Sequence, residues 1–442
     1  MVQDIIIGRS EADKERFGDR GLVLLGKHYV KMGRTTSLSN KIYMDVARAH
    51  TIFVVGKKGS GKSYSMGVIA EGMSDLPEEV SKNIAVLILD TMGIFWTMKI
   101  ENRKDEELLE EWGLEPKGLP ITIFTPVGYY EQYKNEGIPT DYPFSIKPSE
   151  LSGIDWCNTF EIQANSQVGV TIIRAIARLR GENYSIDDTI DVINADEKIN
   201  QETKNIAISL FENAKDWGLF DENGTDLKDL IKGGQITVLD VSCYATTPGG
   251  WGVKGLAIGL IAQKLFVERM IKRKKEELEA VQHGYRYLGE GEEEIKEEKM
   301  PIVWLIVDEA HELLPDKGKN AATDALVTIL REGRQPGIGL ILATQQPGKI
   351  HTDVITQSDI VIAHKITAKI DIDALNAISQ NYMTKGLTDE VNDLPKETGA
   401  AVILDDNSER IYPMRVRPKL SWHGGEAPVA VKGTRKKLEL KL

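Results

Sequence analysis

One stretch of the chain has residue types and spacing that could bind phosphate groups. Residues 56–63 read Gly-Lys-Lys-Gly-Ser-Gly-Lys-Ser, which fits the phosphate-loop pattern G-x-x-x-x-G-K-[ST]. Glycines permit positive φ and close backbone approach, so successive N–H groups can point at phosphate oxygens. Lys62 would reach the β- and γ-phosphates, and the Ser63 hydroxyl would bind Mg²⁺. The residues predicted to bind ATP are Gly56, Lys58, Gly59, Ser60, Gly61, Lys62, Ser63 and Tyr64.

A second stretch supplies two carboxylates at the end of an apolar run. Residues 302–309 read Ile-Val-Trp-Leu-Ile-Val-Asp-Glu, which is typical of a buried strand that ends in acidic residues. Asp308 would hold Mg²⁺ through its water shell, and Glu309 would act as general base on the attacking water. The alternative is a strand that ends in an exposed acidic turn. His311 is interpreted as a packing or hydrogen-bonding residue.

Polar residues around a third apolar run could respond to the γ-phosphate. Gln345 follows residues 338–344, and its amide could hydrogen-bond both the γ-phosphate and the water. Arg331 and Arg334 lie just before this run, and an arginine from a neighbouring subunit can neutralise charge on the γ-phosphate. An amide that caps the next loop, or surface salt bridges at a helix end, would explain the same residues. Arg415 and Arg417 form a second candidate arginine pair.

These residues need a sheet that brings several strand ends together. Buried strand-like runs alternate with helical segments, which predicts an α/β fold with a parallel, doubly wound sheet. Ligands on such sheets bind at the carboxyl ends of the strands. The predicted division is a β-rich region at 1–48, an ATPase core at 49–147 and 233–418, a mainly helical insert at 148–232, and a tail at 419–442.

Composition excludes several other classes of protein. The 442 residues are 41% hydrophobic and 28% charged, an ordinary balance for a globular protein. Two cysteines cannot form a disulfide framework or a four-cysteine zinc site. No run approaches the roughly 18 apolar residues that a membrane span needs. We therefore expect a cytoplasmic protein with no membrane contact.

The net charge of −12 is unevenly distributed. Residues 276–298 hold nine glutamates against two basic residues and carry −7, whereas residues 432–442 carry +4. We expect the glutamate-rich segment to be exposed to solvent. The overall charge argues against a wholly basic surface but does not exclude a local basic groove.

Taken together, these motifs resemble the HerA-like branch of the FtsK–HerA ATPases. The resemblance rests on residues 56–63, on Leu-Ile-Val-Asp-Glu-Ala-His at 305–311, and above all on residues 331–347. It spans about residues 40–418. It implies a RecA-like core assembled as a ring, usually a hexamer, with ATP between subunits and DNA in the central pore. Family members often work with a nuclease of the NurA type.

The sequence departs from the family pattern at two places. Family members carry a longer amino-terminal β-barrel that docks the nuclease, whereas about fifty residues precede the phosphate loop here. We therefore expect a reduced barrel. A shorter barrel weakens the case for a NurA-type partner. The strand predicted at 84–90 ends Asp-Thr-Met-Gly-Ile, where many relatives have Glu after the Gly. Asp90 is interpreted as a residue that supports the site.

Two basic segments are candidates for contact with DNA phosphates. One is the run Arg269, Lys272, Arg273, Lys274 and Lys275, and the other is the set Arg174, Arg178 and Arg180. Each is equally well explained as a solvated helix face.

The sequence supports one principal function and two alternatives. The principal reading is a Mg²⁺-dependent ATPase that translocates along or unwinds DNA. A related motor for DNA packaging or transfer, or an ATP-gated regulatory subunit of a nuclease or other effector, would use the same nucleotide site.

Overall fold

The computed structural model describes residues 4–32, 35–247, 249–286, 300–379 and 387–425. Within these residues, thirteen strands form one sheet in the order β1-β3-β2-β13-β12-β11-β4-β10-β9-β5-β8-β6-β7. The strands are β1 (Ile5–Ile7), β2 (Leu22–Met32), β3 (Thr35–Asp45), β4 (Thr51–Val55), β5 (Ile84–Asp90), β6 (Thr122–Pro126), β7 (Tyr142–Phe144), β8 (Ile236–Asp240), β9 (Ile302–Val307), β10 (Ile338–Thr344), β11 (Ile360–Ala363), β12 (Ala400–Asp405) and β13 (Arg410–Val416).

The strands from β11 to β7 are all parallel, as the alternation of strands and helices predicts. Both faces of this part are covered, because successive residues of β4 enter different cores. Phe53 packs into a core with the long helix on one face, and Val54 packs with the helix after the phosphate loop on the other. The carboxyl ends of β4, β10 and β9 therefore meet at one edge of the sheet.

The helices flank this sheet on both faces. They are α1 (Glu11–Phe17), α2 (Lys62–Ser74), α3 (Glu78–Ser81), α4 (Glu106–Glu111), α5 (Val127–Glu136), α6 (Gly153–Thr159), α7 (Gln167–Arg178), α8 (Ile186–Ala195), α9 (Gln201–Lys215), α10 (Leu227–Leu230), α11 (Gly250–Arg286), α12 (Thr323–Glu332), α13 (Thr352–Gln357), α14 (Lys369–Ser379) and α15 (Leu387–Asn392). The predicted insert contains α6 to α10, and its buried residues share one continuous core with α11.

The β-rich amino-terminal region extends the central sheet. β2 pairs antiparallel with β3 and with β13, and β1 lies parallel to β3 at the edge. A buried ion pair between Arg9 and Asp45, at 2.7 Å, ties β3 to the segment after β1. The strands that the sequence assigns to a reduced barrel are thus outer strands of the central sheet.

The predicted boundary of the tail at residue 419 is too early. Lys419 and Ser421 are fully buried, and the N–H of Trp422 donates to the carbonyl of Ile100 at 2.7 Å. The packed chain therefore continues at least to Trp422. Residues 276–286 of the glutamate-rich segment belong to α11, whereas residues 287–299 and 426–442 lie outside the described residues. No helix in the described part of the chain is long and apolar enough to cross a membrane.

Candidate functional site

The phosphate loop connects the end of β4 to the start of α2. Gly59 and Gly61 have φ of +73° and +112°, values at which a side chain would strain the backbone. The loop is anchored to its neighbours, because Gly56 N–H donates to Thr344 O at 3.4 Å and Lys57 N–H donates to Lys365 O at 3.0 Å. In the described residues, Gly59, Gly61 and Lys62 donate no main-chain hydrogen bond to the protein. These N–H groups are available for phosphate oxygens at the positive end of α2.

Two side chains inside the loop fit a phosphate ligand. Lys62 is buried, and the acceptor nearest its Nζ is Lys57 O at 3.5 Å. Ser60 Oγ is buried without a hydrogen-bond partner and faces Gly56. A buried ammonium group and a buried hydroxyl without strong partners are costly, so a bound anion would stabilise both.

Ser63 and Asp308 are brought together, although 245 residues separate them. Ser63 Oγ donates to Asp308 Oδ2 at 2.6 Å. The contact follows from the sheet, because β10 alone separates β4 from β9 and all three strands run in the same direction. A hydroxyl and a carboxylate are ligands that Mg²⁺ accepts, so this pair fits a magnesium ion.

Glu309 is held in an uncommon conformation beside that pair. Its φ is +50°, the left-handed region, which costs about 1–2 kcal/mol for a residue with a Cβ. Its N–H donates to Asp308 Oδ1 at 2.8 Å, and its Oε2 is buried without a hydrogen bond. Burial, and next the charge of Asp308, raise the pKa of Glu309 to about 7, while Lys62 partly opposes the shift. A carboxylate with a raised pKa and an unused oxygen is suited to accept a proton.

His311 connects Glu309 to the end of β10. Gln346 Nε2 donates to His311 Nε2 at 2.9 Å, which leaves the proton on Nδ1, 3.1 Å from Thr344 Oγ1 and 3.5 Å from Glu309 Oε2. Burial lowers the pKa of the imidazole, so it is neutral near pH 7. The predicted hydrogen-bonding role of His311 thus has specific partners.

The two glutamines after β10 differ in their hydrogen bonds. Gln345 and Gln346 both line a cavity of about 310 Å³ with Lys57 and Lys58 of the phosphate loop. Gln346 makes the contact with His311, and Gln345 makes no hydrogen bond in the described residues. Gln345 therefore has a free amide next to the phosphate loop, and its role as a sensor stays a prediction.

Arg331 and Arg334 lie far from the phosphate loop of their own chain. Arg331 Nε donates to Asp353 Oδ2 at 2.5 Å, and Arg334 lies 3.6 Å from Asp359. Asp359 accepts the N–H of Thr51, the first residue of β4, whereas the phosphate loop follows the last. At about 3.3 Å per residue, the five residues of β4 separate the two ends by about 16 Å. Any contact with a γ-phosphate would involve a neighbouring copy of the chain.

Arg417, one of the second pair of candidate arginines, is unsuited to that role. Arg417 is 3% exposed, and its Nη1 donates to Glu71 Oε2 at 2.9 Å. Arg415 lies 3.4 Å from Glu397. Arg417 therefore stabilises the packing of the carboxyl-terminal segment against α2 and is not available to a partner.

The Tyr64 side chain points away from the phosphate loop. Its hydroxyl accepts the N–H of Lys419 at 2.6 Å, and its ring packs edge-on against His423. In an ATP complex, only the main chain of Tyr64 would face phosphate.

Two groups of buried residues near the site were not predicted. His364, at the end of β11, bonds Ser65 Oγ at 2.9 Å, and burial lowers its pKa to about 4. Asp240 is paired in register with Asp90 on β5, and Lys254 Nζ donates to Thr91 O beside them at 2.9 Å. His364 directly follows β11 and Asp240 ends β8, and a polar residue at the end of a buried strand is the signal that could have identified both.

Asp90 holds the loop that follows β5. Its two oxygens accept the N–H groups of residues 92–95 at 2.8–3.1 Å. Burial and the neighbouring Asp240 raise the pKa of Asp90. Asp90 therefore fixes the loop after β5 rather than offering a free carboxylate to a metal.

The fold and the site together define a P-loop ATPase with a RecA-like core. Residues 30–247 match the family model described as the central domain of helicase HerA. Residues 30–247, just under half of the chain, therefore resemble that domain, and the resemblance to HerA predicted from the motifs is confirmed. The matched range includes the phosphate loop and the helical insert and ends before Asp308.

Named relatives agree with this assignment. The DNA double-strand break repair helicase HerA of Pyrococcus furiosus is 32% identical over 174 residues, 38% of this chain and 30% of the relative. The protein of the same name from Sulfurisphaera tokodaii is 21% identical over 373 residues, 79% of this chain and 61% of the relative. The alignments thus span less than two thirds of these relatives.

A solved structure shows the same fold. VirB4 of Thermoanaerobacter pseudethanolicus superposes with a TM-score of 0.53 at 11% identity, covering 89% of this chain and 96% of that one. The predicted α/β class with a RecA-like P-loop core is confirmed.

Proposed function

We propose that this protein is a ring-forming motor that hydrolyses ATP and uses the energy to move along or unwind DNA. The observation that carries the proposal is the meeting of Lys62, Ser63, Asp308 and Glu309 at one edge of the sheet. We infer that the substrate is DNA from relatives named as DNA double-strand break repair helicases. The packaging and regulatory alternatives have no separate feature in the structure that favours them.

Each residue at the edge has a distinct task in hydrolysis. The N–H groups of the loop and the Lys62 ammonium hold the phosphates in place. Ser63 and Asp308 would hold Mg²⁺, which, when bound, neutralises charge on the β- and γ-phosphates. Glu309 takes a proton from the attacking water. His311, whose Nδ1 lies 3.5 Å from Glu309 Oε2, helps to hold the Glu309 side chain in position.

The raised pKa of Glu309 predicts how hydrolysis depends on pH. The base works only when ionised, so kcat/KM should be low below pH 7 and should rise through a pKa of about 7. An ordinary glutamate would give a profile that is flat above about pH 5.5. The measurement is the pH profile of kcat/KM for ATP, and a flat profile between pH 6 and 8 would show that Glu309 is not the titrating base.

The two glutamines provide a matched pair of variants. If Gln345 contacts the γ-phosphate, Gln345→Ala should lower kcat by about a hundredfold, the usual loss for one donor to developing charge. Gln346→Ala removes one neutral hydrogen bond to His311 and should lower kcat only about fivefold. Steady-state ATP hydrolysis by both variants tests this difference, and the reverse order would assign the sensor to Gln346.

Assembly and domain division belong to the same proposal. The exposed positions of Arg331 and Arg334 favour a role in trans, in which one chain completes the ATP site of its neighbour in a ring, most simply a hexamer. Residues 49–147 and 233–418 would form the ATPase core, with 148–232 as its helical insert. A nuclease partner of the NurA type is the family's precedent, and co-purification would test it.

The proposal is tested by the rate of ATP hydrolysis with and without duplex DNA. We expect hydrolysis that requires Mg²⁺ and increases when DNA is added, from particles whose mass is a multiple of the chain mass of 49.2 kDa. A monomer whose hydrolysis does not respond to any DNA would refute it.

A further inference from the structure

A basic groove lies at the opposite edge of the sheet from the phosphate loop. It encloses about 990 Å³. Five lysines line it, together with one carboxylate and several apolar side chains: Lys82, Lys228, Lys232, Lys272, Lys275, Glu268, Ile231, Ile271, Met300 and Pro301. This groove therefore gathers five cations in one place outside the nucleotide site.

The groove is built where three adjacent strands begin. Lys82 precedes β5, Lys232 precedes β8 and Met300 precedes β9. Two main-chain hydrogen bonds join these approaches, from Gly234 N–H to Ile84 O at 2.8 Å and from Ile302 N–H to Asn83 O at 2.9 Å. The floor of the groove is therefore as rigid as the sheet itself. The seven residues of β5 place it about 23 Å from the ATP edge.

One face of α11 forms a wall of the groove. Glu268, Ile271, Lys272 and Lys275 are spaced i, i+3, i+4 and i+7 and so share that face. Glu268 is the carboxylate of the lining, and burial raises its pKa. Asp229 lies 3.4 Å from Lys232 at the rim. Among the described residues, the lining carries an excess of positive charge.

Several other basic residues suggested by the sequence make hydrogen bonds or ion pairs within the protein. Arg269 is buried and donates to Pro336 O at 2.6 Å, and Arg273 contacts Glu277 at 3.1 Å. Arg174 and Arg178 both lie 2.9 Å from Asp196. Lys272 and Lys275 of the first basic segment line the groove.

We propose that this groove binds the sugar-phosphate backbone of DNA. The proposal rests on the proposed motor function and adds to it a binding site remote from the ATP. Lysines on separate segments match the spaced charges of a phosphate backbone, and the groove offers no array of amides to read bases. The apolar side chains between them, including Ile271 at 54% exposure, can contact sugars.

The test compares two triple variants that remove the same charge. Lys82→Gln, Lys228→Gln and Lys275→Gln come from three walls of the groove and are all exposed. The control variant replaces three exposed lysines elsewhere on the surface, Lys41, Lys134 and Lys198. Fluorescence anisotropy with a labelled mixed-sequence duplex, in the presence of a non-hydrolysable ATP analogue, gives affinity across a range of salt concentrations. Melting curves establish that both variants are folded.

We expect the groove variant to bind the duplex on the order of a hundredfold more weakly at 0.1 M salt and to reduce the slope of log K against log salt by about three. The control should keep the wild-type slope. An unchanged slope in the folded groove variant, or an equal loss in the control, would overturn the proposal. Because the assay does not involve hydrolysis, its outcome is separate from that of the ATPase test of the wild-type protein.

Discussion

Glu309→Gln should lower kcat for ATP hydrolysis by about two to four orders of magnitude and leave the affinity for ATP nearly unchanged. The amide has the size of the carboxylate but cannot accept the proton of the attacking water. Lys62, Ser63 and Asp308, which are proposed to hold the nucleotide and its Mg²⁺, stay in place. Single-turnover hydrolysis gives the rate, and equilibrium binding of a fluorescent ATP analogue gives the affinity.

Glu312→Gln is the matched control for that variant. Glu312 is three residues further along the chain, 3.3 Å from His311, and its side chain is 40% exposed. The same chemical change there should alter kcat only a few-fold, because the solvated Glu312 carboxylate does not take the proton of the attacking water. Hydrolysis at the wild-type rate in Glu309→Gln would remove Glu309 from the role of general base.

Arg417→Leu should destabilise the protein by about 3–5 kcal/mol. Arg417 is the cation beside Glu71, whose side chain is fully buried on α2. The carboxylate would keep the hydrogen bonds of Leu420 N–H and Ser421 but would lose its charge partner. The measurement is the free energy of unfolding from urea denaturation.

Two further variants give that prediction its controls. Arg48→Leu breaks an exposed pair with Asp13, whose arginine is 48% exposed, and should cost less than about 1 kcal/mol. Adding Glu71→Leu to Arg417→Leu removes the unpaired charge and should recover part of the loss. A cost below about 1 kcal/mol for Arg417→Leu would mean that the buried pair does not hold the carboxyl-terminal segment in place.

The motifs that lie at the ends of apolar strands were predictable from the sequence. Residues 51–55 and 302–307 each indicate a buried parallel strand, so the edge at which Ser63 and Asp308 meet follows from the direction of the chain. The parallel sheet and the helical segment at 148–232 follow from hydrophobic periodicity in the same way. In these regions, the strands and helices that the local hydrophobic pattern predicts are the ones that the fold contains.

The contacts that escaped prediction depend on rotamers and on distant partners. Nothing in the pair Gln345-Gln346 indicates which amide turns toward His311, because that depends on the packing of the loops after β9 and β10. Arg417 has the residue type of a catalytic arginine, and only its burial against Glu71, 346 residues away, excludes that role. The lysine groove likewise draws on segments near residues 82, 230 and 272, which no sequence window contains together.

The central claim is that ATP hydrolysis at the Ser63–Asp308 edge drives movement on DNA. The most direct measurement is displacement of a triplex-forming third strand from duplex DNA, followed over time with ATP, with a non-hydrolysable analogue, and with the Glu309→Gln variant. We expect displacement by the wild-type protein with ATP and none in the other two reactions. Displacement at the same rate without hydrolysis, or ATP hydrolysis on this DNA with the third strand left in place, would contradict it.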